Sequence, residues 1–489
     1  MALTTFLLCA FTLTLILYGS PETSEKHNSS DLRVLCTCNK IAEALSGASQ
    51  VFFPPASEYL SDIEHAAPSS TEASACSVEP GSVEDVSEIL RILGSTRTTF
   101  AVKCGGHATN PGFSSTTGVQ ISMSRFNETK VNSISGTVEV GAGLTWGQVY
   151  ATLESTGVNV VGGRVAGVGV AGLTLGGGYS FLTSQYGLAL DNVAGYELVL
   201  PNGTITNVTS TDRDLWFGLR GGLNNFGIVT KFVLKSHPQS EIWGGLYFYA
   251  ENQLDAIKGA LVDFQQKNDT KAEVIVTLSY SSGQFSIGVA YFYDAPTPSR
   301  VFDDLLDIPA TEGNVSIRSF SDLVQSLSSL VGNTNGLRLV VQSVYSPAVF
   351  DAFVNQIKVR GARLWALDKN VTLGASLEPF DEGLFSHGSD SAYPPDRSYA
   401  VFPTDISVLW SNASLDKTTA FALRNISDTI HEAALTDGQN VRHAAVYMNY
   451  ALFGTPLEDM YGENVERLRK IRVAIDPEDV MGLAGGWKF

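Results

Sequence analysis

The clearest alternation of apolar and polar positions runs through Glu273 to Tyr280 and again through Phe285 to Tyr293, with Ser281-Ser282-Gly283 between the two runs. Period-two patterning on both sides of a short turn predicts a β-hairpin. To either side the period lengthens, because Leu254 to Phe264 and Ser414 to Ala434 carry apolar residues three and four apart, the spacing of amphipathic helices. From about Ile242 to Ala434 the pattern therefore predicts an antiparallel sheet covered by helices on one side. Upstream, from about Cys76 to Pro238, strand-like runs are short (Phe100 to Lys103, Val138 to Val140, Tyr196 to Leu200) and Gly and Val dominate. That zone reads as an α+β unit with a heavily looped ligand face. Downstream of His443 a strand is expected over Ala444 to Tyr450, then a helix that ends near Ile475 before Asp476-Pro477.

The N-terminus breaks these patterns. Leu3 to Tyr18 is a nearly unbroken apolar run that ends in Gly19-Ser20-Pro21, which predicts an export signal over residues 1–20, cleaved near Gly19 or Ser20. No Lys or Arg precedes the run, and a short retained anchor is the alternative, although spanning usually takes about 20 residues. Nine N-x-[ST] sequons, at Asn28, Asn127, Asn202, Asn207, Asn268, Asn314, Asn370, Asn412 and Asn425, support the secretory pathway, to a secreted or vacuolar destination. Cleavage removes Cys9 and leaves Cys36, Cys38, Cys76 and Cys104, so one disulfide between the N-terminal pair and Cys76 is expected in an oxidising lumen. A metal site at Cys36-x-Cys38 is the weaker reading, since no His cluster accompanies it. The net charge of −18 over 489 residues argues against nucleic acid or anionic membrane as a partner, because phosphate recognition needs clustered Lys and Arg.

Two glycine-rich motifs carry the candidate chemistry. In Val102-Lys103-Cys104-Gly105-Gly106-His107 the glycines let backbone press against a bulky ligand while the imidazole stays available as a nucleophile. Gly167-Val168-Gly169-Val170-Ala171-Gly172 fits G-x-G-x-x-G, with Asp191 about twenty residues on, the outline of a dinucleotide fingerprint. The fingerprint needs a helix opening on its last glycine, whereas here the chain runs into Gly176-Gly177-Gly178-Tyr179, each glycine costing a helix roughly 1 kcal/mol. A long loop whose N–H groups surround an anion or flavin is the better reading.

The succession of motifs resembles a known family. Val78-Glu79-Pro80 with Asp85-Val86, Gly105-Gly106-His107, Val140-Gly141-Ala142-Gly143-Leu144-Thr145-Trp146, Gly172 through Tyr179, Tyr186-Gly187-Leu188 with Asp191-Asn192-Val193, Asp214-Leu215-Trp216, Arg220 through Val229, Tyr447-Met448-Asn449-Tyr450 and Tyr461 through Pro477 together resemble the berberine-bridge-enzyme-like, oxygen-dependent FAD-linked oxidoreductases. The resemblance implies an α+β fold: residues 72–239 and the C-terminal segment 441–489 form a PCMH-type FAD-binding unit, and 240–440 form a substrate-binding unit, after an N-terminal segment over 21–71. It also implies that His107 is bonded to the 8α-methyl carbon of FAD, and that Gly105, Gly106, Val168, Gly169, Gly172, Gly176, Gly177, Gly227, Val229 and Asn449 contact the cofactor. Many relatives add a Cys link about eleven residues before the Gly-Gly-Gly-Tyr run, but that count reaches Val165 here, so a mono-covalent flavin is expected. Cys104 then reads as a packed thiol.

For catalysis, oxidation of a C–H bond beside O–H or N–H needs a base within hydrogen-bond reach. Pro395-Asp396-Arg397 resembles the family's P-H-R start to a strand, and the acidic position about eight residues after the Arg is Asp405, with Asp396 departing from His. Tyr447 and Tyr450 are the alternative bases or substrate donors, with Tyr179 near the ring edge; on a strand Tyr447 and Asn449 share a face. The resemblance at Val168 favours reaction with O2. The sequence thus predicts an FAD oxidase acting on a small alcohol or amine-like carbon and producing H2O2, fungal in style and suited to secondary metabolism. A carbohydrate oxidase, an oxidative cyclase and a dehydrogenase are the alternatives, and a non-enzymatic flavin-binding protein comes last.

Overall fold

Three sheets organise the chain in the computed structural model, which describes residues 29–328 and 335–489; the expected leader over 1–20 and the sequon at Asn28 lie outside the described residues. The first sheet contains β1 (Gln50–Phe52), β2 (Cys76–Glu79), β3 (Phe100–Lys103) and β4 (Val119–Ser122), in the order β1-β2-β4-β3, with β2 and β3 parallel to β4. Helix Val83–Thr96 makes the crossover from β2 to β3. It starts at Ser82, whose hydroxyl accepts from the Asp85 N–H, and buries Val86, Ile89, Leu90 and Leu93 at helical spacing.

The second sheet is antiparallel and comprises β5 (Thr129–Asn132), β6 (Thr137–Gly141), β7 (Val158–Val160), β8 (Val193–Val199), β9 (Ile205–Val208) and β10 (Ile228–Pro238). Its order is β5-β6-β10-β8-β9, with β7 pairing the far end of β10. The third sheet has seven antiparallel strands, β11 (Ile242–Tyr249), β12 (Ala272–Ser281), β13 (Gln284–Tyr293), β14 (Glu312–Arg318), β15 (Asn335–Ser343), β16 (Thr372–Leu377) and β17 (Phe402–Trp410), ordered β14-β11-β13-β12-β16-β17-β15.

The expected hairpin is β12–β13, with Ser281 opposite Gln284. Both turn residues are left-handed, Ser282 at φ 53° and Gly283 at φ 78°, the conformation a two-residue hairpin demands. Helices Leu254–Gln265, Pro347–Leu367 and Asp416–Thr436 belong to the layer that covers this sheet. Along β17 the two faces separate cleanly: Thr404, Ile406, Val408 and Trp410 are buried, while Asp405, Ser407 and Leu409 are half-buried on the opposite face. That opposite face carries the candidate base.

Two expectations change. Gly167–Gly172 is not loop throughout, because helix Val170–Leu175 opens inside it and stops at Gly176, six residues being all the glycines allow. The segment Ala444 to Tyr450 is not a strand but a chain of turns, in which Tyr450 N–H donates to Tyr447 O (3.1 Å) and Ala451 N–H to Met448 O (3.2 Å). Its apolar alternation mimics a strand, but no strand among the described residues offers it a ladder.

Cys38 is the member of the N-terminal pair that bridges Cys76, tying helix Ser29–Ala44 to β2. Of the described sequons, Asn127, Asn202, Asn207, Asn268, Asn314, Asn370 and Asn412 are exposed, whereas Asn425 is half-buried on a helix and donates its amide to Phe421 O. No described helix is long and apolar enough to cross a membrane.

Candidate active site

The two glycine motifs meet. β3 ends at Lys103, and Gly105 then packs so closely on the second motif that an added Cβ would lie 2.4 Å from the Gly169 nitrogen. Gly106 follows at φ 65°, the left-handed turn that hands the chain to His107, and its carbonyl accepts from Ala66 N–H at 3.0 Å. The second motif is fixed from behind, where Trp146 N–H donates to Val168 O (3.0 Å) and Val170 N–H to Leu144 O (2.9 Å). His107 and Val168 are both half-buried at this junction. Burial first, and the positive charge of Arg338 second, push the imidazole pKa down to about 3, which leaves a neutral nucleophile at ordinary pH. Burial pushes the neighbouring Cys104 thiol up to about 12, in keeping with a packed thiol.

The Gly176-Gly177-Gly178 run is glycine because the C-terminal turn segment lies against it. A Cβ on Gly176 would sit 2.2 Å from Asn449 Oδ1, while Gly177 and Gly178 adopt φ of 122° and 89°. Asn449 Nδ2 donates to Leu173 O (3.1 Å) and to Tyr447 Oη (2.9 Å), and Tyr447 Oη also accepts from Gly178 N–H (3.1 Å). Tyr447 stacks edgewise on Tyr179 and Tyr450, at centroid distances of 4.8 and 5.0 Å. Tight turns rather than strand alternation therefore bring Tyr447, Asn449 and Tyr450 to one side. The strand geometry expected for this segment, in which Tyr447 and Asn449 share a face by alternation, is replaced by these turns.

Sequence reading missed the charges that complete the site. Arg164 reaches from the glycine-rich loop to Glu378 Oε2 (2.6 Å) and Tyr450 Oη (3.1 Å), with its side chain only 8% exposed. Glu378 follows β16, and its N–H donates to Tyr345 Oη at 2.8 Å. On the same sheet Arg338 of β15 lies 3.6 Å from Asp405 Oδ2 through Nε, and 5.8 Å from the Tyr450 ring centroid. Asp405 Oδ1 is buried and accepts no hydrogen bond among the described residues. Burial raises the Asp405 pKa and Arg338 partly opposes it; the pKa of Glu378 is raised in the same way against the pull of Arg164. Burial also holds the phenols of Tyr447 and Tyr450 above their ordinary range, far above in Tyr450, so neither is a ready base. Arg164 stood next to the scrutinised Val165, the one available signal.

Gly227 and Val229 lie at the start of β10. Gly227, at φ 135°, passes 2.2 Å (measured from an added Cβ) from Val199 O, and Val229 is buried where β10 meets β8. Both shape the sheet behind the site. A link forward runs through the C-terminal residues, since Asn225 Nδ2 donates to Trp487 O (3.0 Å) and Trp487 packs edgewise on Phe113 of the His107 loop at 4.9 Å.

The residues fit a flavin dinucleotide. Nothing lies within 4 Å of a Cβ added to Gly167 or Gly172, both exposed, so the second motif turns bare backbone to open space, as a broad planar ligand with an anionic linker requires.

Comparison with known proteins agrees. A family model described as an FAD binding domain matches residues 74–209, and one described as berberine and berberine like matches 446–484. The chain is 32% identical over 447 residues to the FAD-dependent monooxygenase tpcD of Cochliobolus heterostrophus, covering 85% of each protein. Among solved structures, 6-hydroxy-D-nicotine oxidase from Arthrobacter nicotinovorans superposes with a TM-score of 0.77 at 19% identity (91% of this chain, 99% of that one). A carbohydrate oxidase from Microdochium nivale superposes with a TM-score of 0.72 at 19% identity (91% and 98%). The glycine cradle, the Tyr-x-Asn-Tyr turn against it and these matches identify the chain as an FAD-dependent oxidoreductase of the berberine-bridge-enzyme-like family.

Proposed function

We propose that this enzyme is an oxidase that takes a hydride from a small alcohol or amine-like carbon, with its flavin held covalently through His107 alone, as a step in secondary metabolism. The observation that carries the reading is Asp405 Oδ1, a buried carboxylate oxygen with no hydrogen-bond donor among the described residues, on the sheet face that also presents Arg338 toward His107. Asp405 takes the hydroxyl or amine proton as the C–H bond breaks. FAD, when bound, would supply the hydride acceptor and a two-electron route to O2 that yields H2O2. The Arg164–Glu378–Tyr450 triangle positions Tyr450 at the wall, and Tyr447 and Asn449 hold the glycine loop in register. Val165 offers no thiol for a second link. The division into a cofactor unit over 72–239 plus 441–489 and a substrate unit over 240–440 is supported by the change of sheet between β10 and β11. Passage through the secretory pathway is supported by the apolar leader and the exposed sequons.

The test is peroxide release by the purified holoenzyme across alcohols, amines and sugars, paired with anaerobic flavin bleaching. Bleaching without peroxide would make the enzyme a dehydrogenase. Because the relative named above is called a monooxygenase, the same reaction under 18O2 decides a second reading: label in the organic product, rather than in peroxide alone, would replace the oxidase assignment.

A further inference from the structure

Resting on the oxidase reading, the geometry points to a substrate that carries an ionised oxygen, a carboxylate or phenolate, which the guanidinium of Arg338 binds while Asp405 serves the neighbouring hydroxyl. The two site arginines differ in how far they are committed. Arg164 is buried and bonded through Nη2 to Glu378 at 2.6 Å and Tyr450 at 3.1 Å. Arg338 keeps 23% of its side chain exposed and, among the described residues, pairs with one carboxylate, Asp405, at 3.6 Å through Nε, beyond hydrogen-bond distance. The terminal nitrogens of its fork make no hydrogen bond to the described residues. A guanidinium fork matches a carboxylate or phenolate oxygen in the plane of those nitrogens, and such charge-assisted bonds gain strength where water is excluded.

The surroundings select the sign. Arg338 depresses the proton affinity of His107, second to burial, so its positive charge is felt at that imidazole. A protonated amine would meet that field unfavourably, and an anion favourably. Beside Arg338 the half-buried face of the sheet offers short hydroxyls, including Ser376 opposite Asp405 and Ser407 opposite Arg338. These suit a substrate with several oxygens. Asp405 and Arg338 then act on adjacent oxygens of one molecule, the first accepting a proton and the second holding a charge.

Binding to the oxidised holoenzyme tests this without knowledge of the natural substrate, by titrating salicylate against its neutral isostere salicylamide and following the flavin absorbance and calorimetric heat. The expected result is salicylate binding at least about tenfold tighter, with the preference abolished in Arg338→Gln and partly kept in Arg338→Lys. A redox titration of the same variants separates substrate binding from flavin tuning: an Arg338 directed at the flavin would move the reduction potential and leave the salicylate preference intact. Equal affinities, or no binding of either compound at millimolar concentration, would overturn the inference. Failure of the oxidase reading is recognised independently, by absence of flavin reduction with every compound in the alcohol, amine and sugar panel.

Discussion

Gly105 and Gly169 are in backbone contact: a Cβ on Gly105 would lie 2.4 Å from the Gly169 nitrogen, and one on Gly169 equally close to the Gly105 nitrogen. Neither neighbour is a flexible side-chain tip that could move aside. Gly105→Ala is therefore expected to separate the His107 loop from the Val168 loop, lowering stability by about 1–3 kcal/mol and the FAD content with it. Denaturant unfolding and the flavin-to-protein absorbance ratio check both; an unchanged ratio would mean that the contact does not shape the cradle.

His107 should attach the flavin at a rate independent of pH. A histidine ordinarily changes charge between about pH 5 and 8, but with its pKa held near 3 by burial and Arg338 the imidazole is neutral throughout that window. Apoprotein mixed with FAD, sampled over time and precipitated in acid, should show the same growth of protein-bound yellow colour at each pH. His107→Ala should release all colour to the supernatant. A rate that climbs with pH through the ordinary histidine range would place the imidazole in a wetter setting.

Asp405 must be ionised to act as a base, and burial raises its pKa, so anaerobic flavin reduction should fall as the pH is lowered through a value above the usual aspartate range. Asp405→Asn should slow reduction by at least ~100-fold and flatten that acidic limb. Tyr450→Phe should keep the limb, because its hydroxyl is engaged by Arg164 and carries a pKa far above normal. Retention of the limb in Asp405→Asn, and its loss in Tyr450→Phe, would exchange the two roles.

The Cys38–Cys76 bridge spans 38 residues of chain, for which loop-closure entropy gives about 4 kcal/mol of stabilisation. Cys38→Ser should lower the denaturant midpoint to match that of wild type unfolded with reductant. A variant insensitive to the change, with wild type still sensitive to reductant, would assign the effect to another thiol.

How much of this was legible in the sequence depended on whether the information was local. The β12–β13 hairpin and the helix beginning at Leu254 were visible because each repeats its own period over ten or more residues. The Tyr447–Tyr450 segment was not, since its alternation is the same in a strand and in these turns; what decides is tertiary, including Val446 N–H donating to Asp459 O at 2.8 Å. His107 and Asp405 emerged from the resemblance to the family's motifs. Arg164, Arg338 and Glu378 did not, because each is a lone charge whose partner is chosen only in three dimensions, Arg164 and Glu378 being 214 residues apart.

Asn110, three residues beyond His107, donates through Nδ2 to Ala451 O at 2.9 Å and accepts at Oδ1 from Phe453 N–H at 3.0 Å, across 341 and 343 residues of chain. Two hydrogen bonds between the Asn110 side chain and backbone groups thus close the His107 loop with residues that leave the ribosome long after it. Contacts of such separation form only once the intervening sheet has been made, so the cradle's walls exist in the nascent chain well before its latch does. Closure of the His107 loop through Asn110 therefore waits on the C-terminal segment, and a chain ending before Ala451 would leave that loop unlatched.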